Sequence, residues 1–359
     1  MEPKQHQEGG VGAAPEGSSG KPTVCFLGPV SSYTHQATLN TFPSDKFDLV
    51  PVETIKDIFD TTQSGRADYG VVPFENSSNG SVVFTLDQFA DRAGEYPDLS
   101  VCAEIYLDVH HCLLGHFSPS SQLQPQPQPQ PQSQGQQEIE LKHIKRVYSH
   151  PQAFGQCVKF LRNNLRGIET IDVSSTSKAA ALAKADATGE SAAISSAVAA
   201  ELLGLDVLAR NIEDRADNTT RFFVLRRGRG LGLASSSPSP SPSSEKDKSL
   251  EQVLKERKRR DLDGGGDIYS QTKSLASFTV PHRAPGALAD VLECFRRARL
   301  NLTSINSRPS LVEPFQYVFF VEFEGHLSCD PEGRVRDVLR NVAGVAQSSR
   351  WLGSWDRMR

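Results

Sequence analysis

The sequence predicts an α/β protein built from two folded parts, and three observations carry that expectation. From about residue 22, short apolar runs alternate with helix-patterned segments, the mark of repeated β-α-β units that make open sheets covered by helices. From about residue 273 the rhythm changes to β-α-β-β-α-β. Three stretches lack the apolar content of a core: 1–21, 118–138 (SPSSQLQPQPQPQPQSQGQQE) and 228–272. These are expected to be a disordered tail, an insert and a disordered linker. The folded parts are then 22–227, interrupted by the insert, and 273–359.

In the first part, TVCFLG reads as a strand, YTHQATLNTF as a helix and FDLVPV as a strand. TIKDIFDTTQSG is helical, YGVVPFEN extended and SVVFTLDQFADRAG helical. LSVCAEIYLDVHHCLLG reads as one long strand. After the insert, IKRVYSH is a strand and PQAFGQCVKFLRNN a single helix. ETIDVS, STSKAAALAKADA, SAAISS, AVAAELLG and LDVLAR continue the alternation, and RFFVL closes it. In the second part SLASFTV, NLTSINSRPS, YVFFVEFEGH and VAQSSRWLGSW are strands, while ALADVLECFRRARL and PEGRVRDVLRNVAG are helices. That order is the split βαβ of a ferredoxin-like sandwich.

Composition removes several function classes. A net charge of −4 argues against a nucleic-acid binder, which presents a basic face. The basic run at 255–260 sits in the linker and reads as solvated. Six cysteines without a C-x-x-C pair suit a reducing compartment rather than zinc or a disulfide framework. The N-terminal stretch has no apolar core of a signal peptide and no arginine, and no run approaches the ~18–20 apolar residues of a membrane span. A cytoplasmic location is expected.

Polar residues cluster after strand ends: Gly28-Pro29 with Ser31-Ser32, Glu75-Asn76-Ser77-Ser78, Ser149-His150-Pro151-Gln152 and Ser174-Ser175-Thr176-Ser177. In open α/β sheets ligands sit at the carboxyl ends of strands. Several helix N-termini around one crevice favour an anion, whereas each cluster alone is also an ordinary helix cap. Two look-alikes are set aside. Gly228-Arg229-Gly230-Leu231-Gly232 leads into Ser-Pro repeats instead of a helix, and Ser175-Thr176-Ser177-Lys178 lacks the companion motifs of a serine acyl-enzyme.

Taken in order, Val72-Pro73-Phe74-Glu75-Asn76-Ser77, Tyr148-Ser149-His150-Pro151-Gln152, Asn218-Thr219-Thr220-Arg221-Phe222, Gly286-Ala287-Leu288 and Ser307-Arg308-Pro309 resemble the prephenate dehydratases. The resemblance spans nearly all of 23–227 and 273–355, and the insert has a fungal style. It implies a two-lobed, periplasmic-binding-protein-like catalytic domain followed by an ACT regulatory domain. The implied reaction converts prephenate to phenylpyruvate with loss of CO2 and water, on the way to phenylalanine, and requires no cofactor or metal. Arogenate is a neighbouring substrate, and a silent binding protein on the same fold is the rival class.

The resemblance places Thr220 at the leaving hydroxyl, where it donates a hydrogen bond, with Arg221 beside it. Two readings of Arg221 stand: a fork onto a substrate carboxylate, or an internal ion pair with Asp214 or Asp217. Glu75 and His150 are candidate proton donors or loop-shaping hydrogen-bond partners, and Glu75 serves as an acid only if burial raises its pKa. Asn76, Ser77, Ser149, Gln156 and Thr34 are implied substrate donors, and Phe222 packs on the ring or in the core. L-Phenylalanine is the implied effector, held at a dimer interface by Gly286, Ala287 and Leu288 on one side and a loop of Asn306, Ser307, Arg308 and Pro309 on the other. Asn306 stands where the family has Glu. A homodimer or homotetramer is implied.

Overall fold

The computed structural model describes residues 20–118, 141–228, 250–254, 269–281 and 283–359. The tail to residue 19, most of the Pro-Gln insert and most of the linker lie outside the described residues. The expectation that 228–272 contributes nothing to a core fails where it is tested. Residues 250–254 are helical, and Leu250 and Val253 are buried against the cluster containing Phe26, Phe42 and Phe222.

Two sheets carry the first part. One has the order β2 (Asp48–Val52), β1 (Thr23–Leu27), β3 (Tyr69–Asn76), β11 (Thr219–Arg227), β5 (Leu99–Asp108), with the short β4 (Gly80–Ser81) beside β3. β1 is parallel to β2 and β3, whereas β11 runs antiparallel to β3 and β5. The other has the order β10 (Asp206–Ala209), β6 (Cys112–Gly115), β9 (Ser191–Ser195), β7 (Arg146–Ser149), β8 (Glu169–Asp172). Here β7 is parallel to β8 and β9, and β6 is antiparallel to β9.

The run read as one strand, 99–115, is therefore two. It breaks at Val109-His110-His111, and its halves belong to different sheets. An apolar run bounded only by its ends gives no sign of a change of partner; the His pair in its middle was the available signal. The chain crosses between lobes there and returns through 210–218. The helix read over 151–164 is also two, α4 (Pro151–Gln156) and α5 (Val158–Asn164), divided at Cys157.

Helices α1 (Tyr33–Thr41), α2 (Ile55–Gln63) and α3 (Val83–Ala90) cover the first sheet. Helices α4, α6 (Thr176–Ala185) and α7 (Ala197–Leu203) follow the parallel strands of the second. α2 shows why such a segment becomes helical: Thr54 and Asp57 form a reciprocal capping box, and Ile58, Phe59 and Thr62 bury one stripe. The buried Ala179, Ala180 and Ala183 let α6 lie close on its sheet.

The last part is the expected βαββαβ: β12 (Thr272–Thr279), α8 (Ala287–Ala298), β13 (Leu302–Pro309), β14 (Tyr317–Glu324), α9 (Arg334–Val345) and β15 (Ser348–Asp356). Its strands are ordered β13-β14-β12-β15, and both helices pack on one face over Val321, Phe323, Val291 and Val338. β15 abuts β5 at a single register point, Gly353 with Val101, so one sheet runs through both parts. A Cβ on Gly353 would stand 2.1 Å from the Val101 carbonyl oxygen. Only glycine permits that approach. Among the described residues no helix is long and apolar enough to cross a membrane.

Candidate active site

The two lobe crossings bring distant polar residues into one hydrogen-bonded chain. β11 begins at Thr219, and its first residues are fastened to the end of β3. Ser77 Oγ accepts from Thr219 N at 2.9 Å and donates to Asp217 O at 3.1 Å. Asn76 Nδ2 donates to Asn218 Oδ1 at 2.8 Å and to Thr220 Oγ1 at 3.0 Å, while its Oδ1 accepts from Ser78 N and Asn79 N. From there the chain reaches the other lobe: Asn218 Nδ2 donates to Gln156 Oε1 at 3.1 Å. His111 Nε2 is 2.7 Å from the same oxygen, and His111 Nδ1 is 2.6 Å from the Tyr33 hydroxyl.

An amide oxygen only accepts, so His111 donates from Nε2, and in the neutral ring its Nδ1 accepts the Tyr33 O–H, which also lies 3.3 Å from His110 O. This is the neutral ring. Burial, opposed by the bond to Gln156, holds the His111 pKa below its ordinary value. Burial likewise keeps the Tyr33 phenol protonated well above its usual range. At the end of the chain Thr220 Oγ1 is an acceptor from Asn76, and no acceptor for its own proton is present among the described residues. Asn218, His111 and Tyr33 were not singled out from sequence. Asn218 adjoins Thr219-Thr220 and His111 interrupts an apolar run, but only the folded chain puts them beside Gln156.

Helix N-termini follow the carboxyl ends of β1, β7 and β8, as expected, and also of β9. Ser32 caps α1 through His35 N, His150 Nδ1 caps α4 through Gln152 N, Ser175 caps α6 and Ser196 caps α7. The cluster after β3 is different. It forms a turn leading into β4, and α3 starts at Val82 without a side-chain cap. Thr34 is buried in the first turn of α1, and its hydroxyl has no protein partner among the described residues.

Several expectations need correction. Thr220, Arg221 and Phe222 lie at the start of strand β11, so successive side chains face opposite ways and Arg221 is not beside Thr220. Arg221 points away from Thr220, with its guanidinium 5.0 Å over the Phe74 ring and 5.3 Å over Phe223. Its partners are Glu75 at 2.9 Å, Glu322 at 2.8 Å and Glu104 at 3.4 Å. The internal-pair reading of Arg221 thus holds in kind but with other partners. Asp214 instead accepts from Val158 N and Lys159 N, and Asp217 pairs with Arg215. Phe222, 1% exposed, belongs to the core. Ser149 donates to Ile194 O and is fully buried. Glu75 lacks the burial that an acid role required, since 39% of its side chain is exposed.

In the last part, Gly286, Ala287 and Leu288 line a cavity of about 560 Å³ with Val280, Phe315, Tyr317 and Phe319. Residues 306–309 form no loop around it. They lie in the edge strand β13, where Ser307 and Pro309 are exposed. Arg308 pairs with Asp87 of α3 at 2.9 Å, and Asn306 accepts from Ser81 Oγ at 2.7 Å. Ser307 and Pro309 pair across the sheet with the cavity-lining Phe319 and Tyr317, but none of 306–309 is itself among the residues that line the cavity.

A larger cavity, about 720 Å³, lies between α3 and the last part, away from Thr220. Its guanidiniums are engaged, Arg92 by Asp87 and Arg350 by Asp91.

The family model for prephenate dehydratase matches residues 24–229. This chain belongs to the prephenate dehydratase family. It is 34% identical over 93% of its length to a bifunctional chorismate mutase/prephenate dehydratase of Aquifex aeolicus, covering 73% of that protein. It is 32% identical over 93% of its length to the prephenate dehydratase of Amycolatopsis methanolica, covering 88%. A solved prephenate dehydratase of Arthrobacter aurescens in complex with L-Phe is 26% identical, with a TM-score of 0.69 over 94% of this chain and 90% of that one. The chain is therefore a carbon–oxygen lyase that converts prephenate to phenylpyruvate.

Proposed function

We propose that Thr220 is the group that assists departure of the ring hydroxyl. The observation that carries this is the direction of its bonds: Thr220 Oγ1 receives a hydrogen bond from Asn76 at 3.0 Å, which leaves its own O–H to be given away. In the reaction the carbon–carbon bond to the ring carboxylate breaks and CO2 leaves. The bond electrons enter the ring, the opposite carbon–oxygen bond breaks, and the departing hydroxide takes a proton from solvent to become water. A threonine is too weak an acid to surrender its proton, so Thr220 stabilises the departing oxygen by a hydrogen bond already in place. The Asn76 amide increases the donor strength of that hydroxyl by polarising it. The substrate carboxylates are met by the N-termini around the cleft, with Thr34 contributing a free hydroxyl.

The same reading makes L-phenylalanine the effector. The cavity beside Gly286 supplies a helix N-terminus for a carboxylate and aromatic walls for a ring. Residues 306–309 lie on the strand beside Tyr317 and Phe319 without lining the cavity themselves, and a second copy of the chain is read as completing the site, as a homodimer or a higher even assembly. Six free cysteines fit a cytoplasmic enzyme.

The test is turnover of purified protein with prephenate and with arogenate in parallel, following phenylpyruvate and phenylalanine separately. Phenylpyruvate from prephenate is expected. Turnover of arogenate alone would move the substrate assignment, and silence with both would leave a binding protein on this fold.

A further inference from the structure

Behind Thr220 lies a buried group of five charges drawn from both parts of the chain. Arg221 contacts Glu75, Glu104 and Glu322, and Lys273 contacts Glu104 at 3.3 Å and Glu322 at 3.1 Å. Apart from Glu75 they are at most 7% exposed. Glu104 also accepts from Met358 N and the Tyr106 hydroxyl, and Glu322 from the Thr303 hydroxyl. Burial alone would raise the Glu322 pKa; Arg221 and Lys273 outweigh it and hold the carboxylate ionised. Buried ions of this kind are poor sources of stability, because desolvation consumes most of the attraction. What they do well is fix a geometry.

The group lies one residue pair from the donor. Arg221 is registered opposite Glu75 across β11 and β3, immediately before the register shift at Phe74, and the next pair along is Thr220 with Asn76. Glu322 and Lys273 come from β14 and β12 of the last part. β14 is a single layer between two surfaces: Val318 and Phe320 face the first part, and Val321 and Phe323 face the helices. Tyr317 and Phe319 of the same strand line the cavity beside Gly286. Phe319 and Glu322 are about 10 Å apart along the strand.

We infer that Glu322 and Lys273 are positioning residues for catalysis, holding Arg221 so that the Asn76–Thr220 pair is aligned, and that β14 carries the effector signal from the Gly286 cavity to that pair. This rests on the assignment of Thr220 to the leaving hydroxyl. The coupling element is a strand that lines the cavity through Tyr317 and Phe319 and grips Arg221 through Glu322; the test is whether its equilibrium responds to both sites.

The experiment is Glu322→Gln in the full chain, with kcat, KM for prephenate, turnover with and without phenylalanine, phenylalanine binding by calorimetry and the melting temperature. The expected result is kcat lower by roughly tenfold or more with KM within about threefold. Phenylalanine still binds but changes turnover by less than about twofold. A variant that merely melts earlier, with wild-type kcat and phenylalanine response, overturns the inference. So does a lost response explained by lost phenylalanine binding. If Glu322→Gln does not fold, Thr303→Val removes only one bond to Glu322, and the same changes in smaller measure are expected; none at all overturns the inference. Thr220→Val is run alongside: normal turnover there defeats the assignment of Thr220 itself, whatever the Glu322 variant does.

Discussion

Replacing Thr220 by valine isolates one hydrogen-bond donor. Valine has nearly the same shape and suits a strand, so β11 keeps its backbone preference. The variant removes the acceptor of one Asn76 bond, but Asn76 Nδ2 retains Asn218 Oδ1 at 2.8 Å and Thr219 O at 3.3 Å, so no donor is orphaned. Stability should therefore fall by about 1 kcal/mol at most, a few degrees in melting temperature for a chain of this size. Loss of a preorganised donor at a developing anion costs about 100- to 1000-fold in kcat, or roughly 3–4 kcal/mol of barrier. The two magnitudes are separable. The assay is phenylpyruvate formation at saturating prephenate, with KM and a melting curve from the same preparation. Thr220→Ser, which restores the hydroxyl on a freer side chain, should recover most of the loss. Retention of more than about a tenth of wild-type kcat in the folded valine variant would refute the placement of Thr220 at the leaving group.

Other expectations follow from the same contacts. His111 is held below its ordinary pKa by burial, so the unfolded chain binds a proton that the folded chain refuses. Stability should thus fall as pH drops below about 6.5, and His111→Gln should flatten that part of a stability–pH curve; an unchanged curve would contradict the neutral-ring assignment. Gly353→Ala forces a Cβ against the Val101 backbone, where no side chain can give way. It should cost about 3 kcal/mol or more, seen in chemical denaturation, whereas a normal midpoint would mean that β15 and β5 part without penalty. Gly286 has φ +83° with open space around its Cα. A valine there adds bulk over the helix N-terminus, and the ratio of turnover with to without phenylalanine should rise to about one; persistence of wild-type inhibition would move the effector elsewhere.

Sequence alone settled the order of elements, the family and the chemistry-bearing stretches, because these depend on local signals. Alternating apolar runs fix strands, Ser and His before helices fix caps, and Gly286 marks the opening of a helix. It named Thr220 and Asn76, which the fold brings within one hydrogen bond of each other. The tertiary structure decided what each neighbourhood faces. Thr220 and Arg221 are consecutive residues, yet a strand turns one towards the hydrogen-bonded chain from Tyr33 and the other into a buried charge group completed by Glu322, 101 residues further along. The break at His110-His111, the pairing of Asn218 with Gln156 and the binding of Arg308 to Asp87 share that cause. Hydrogen bonds and ion pairs act over about 3 Å, and only the folded chain determines which distant residues come that close.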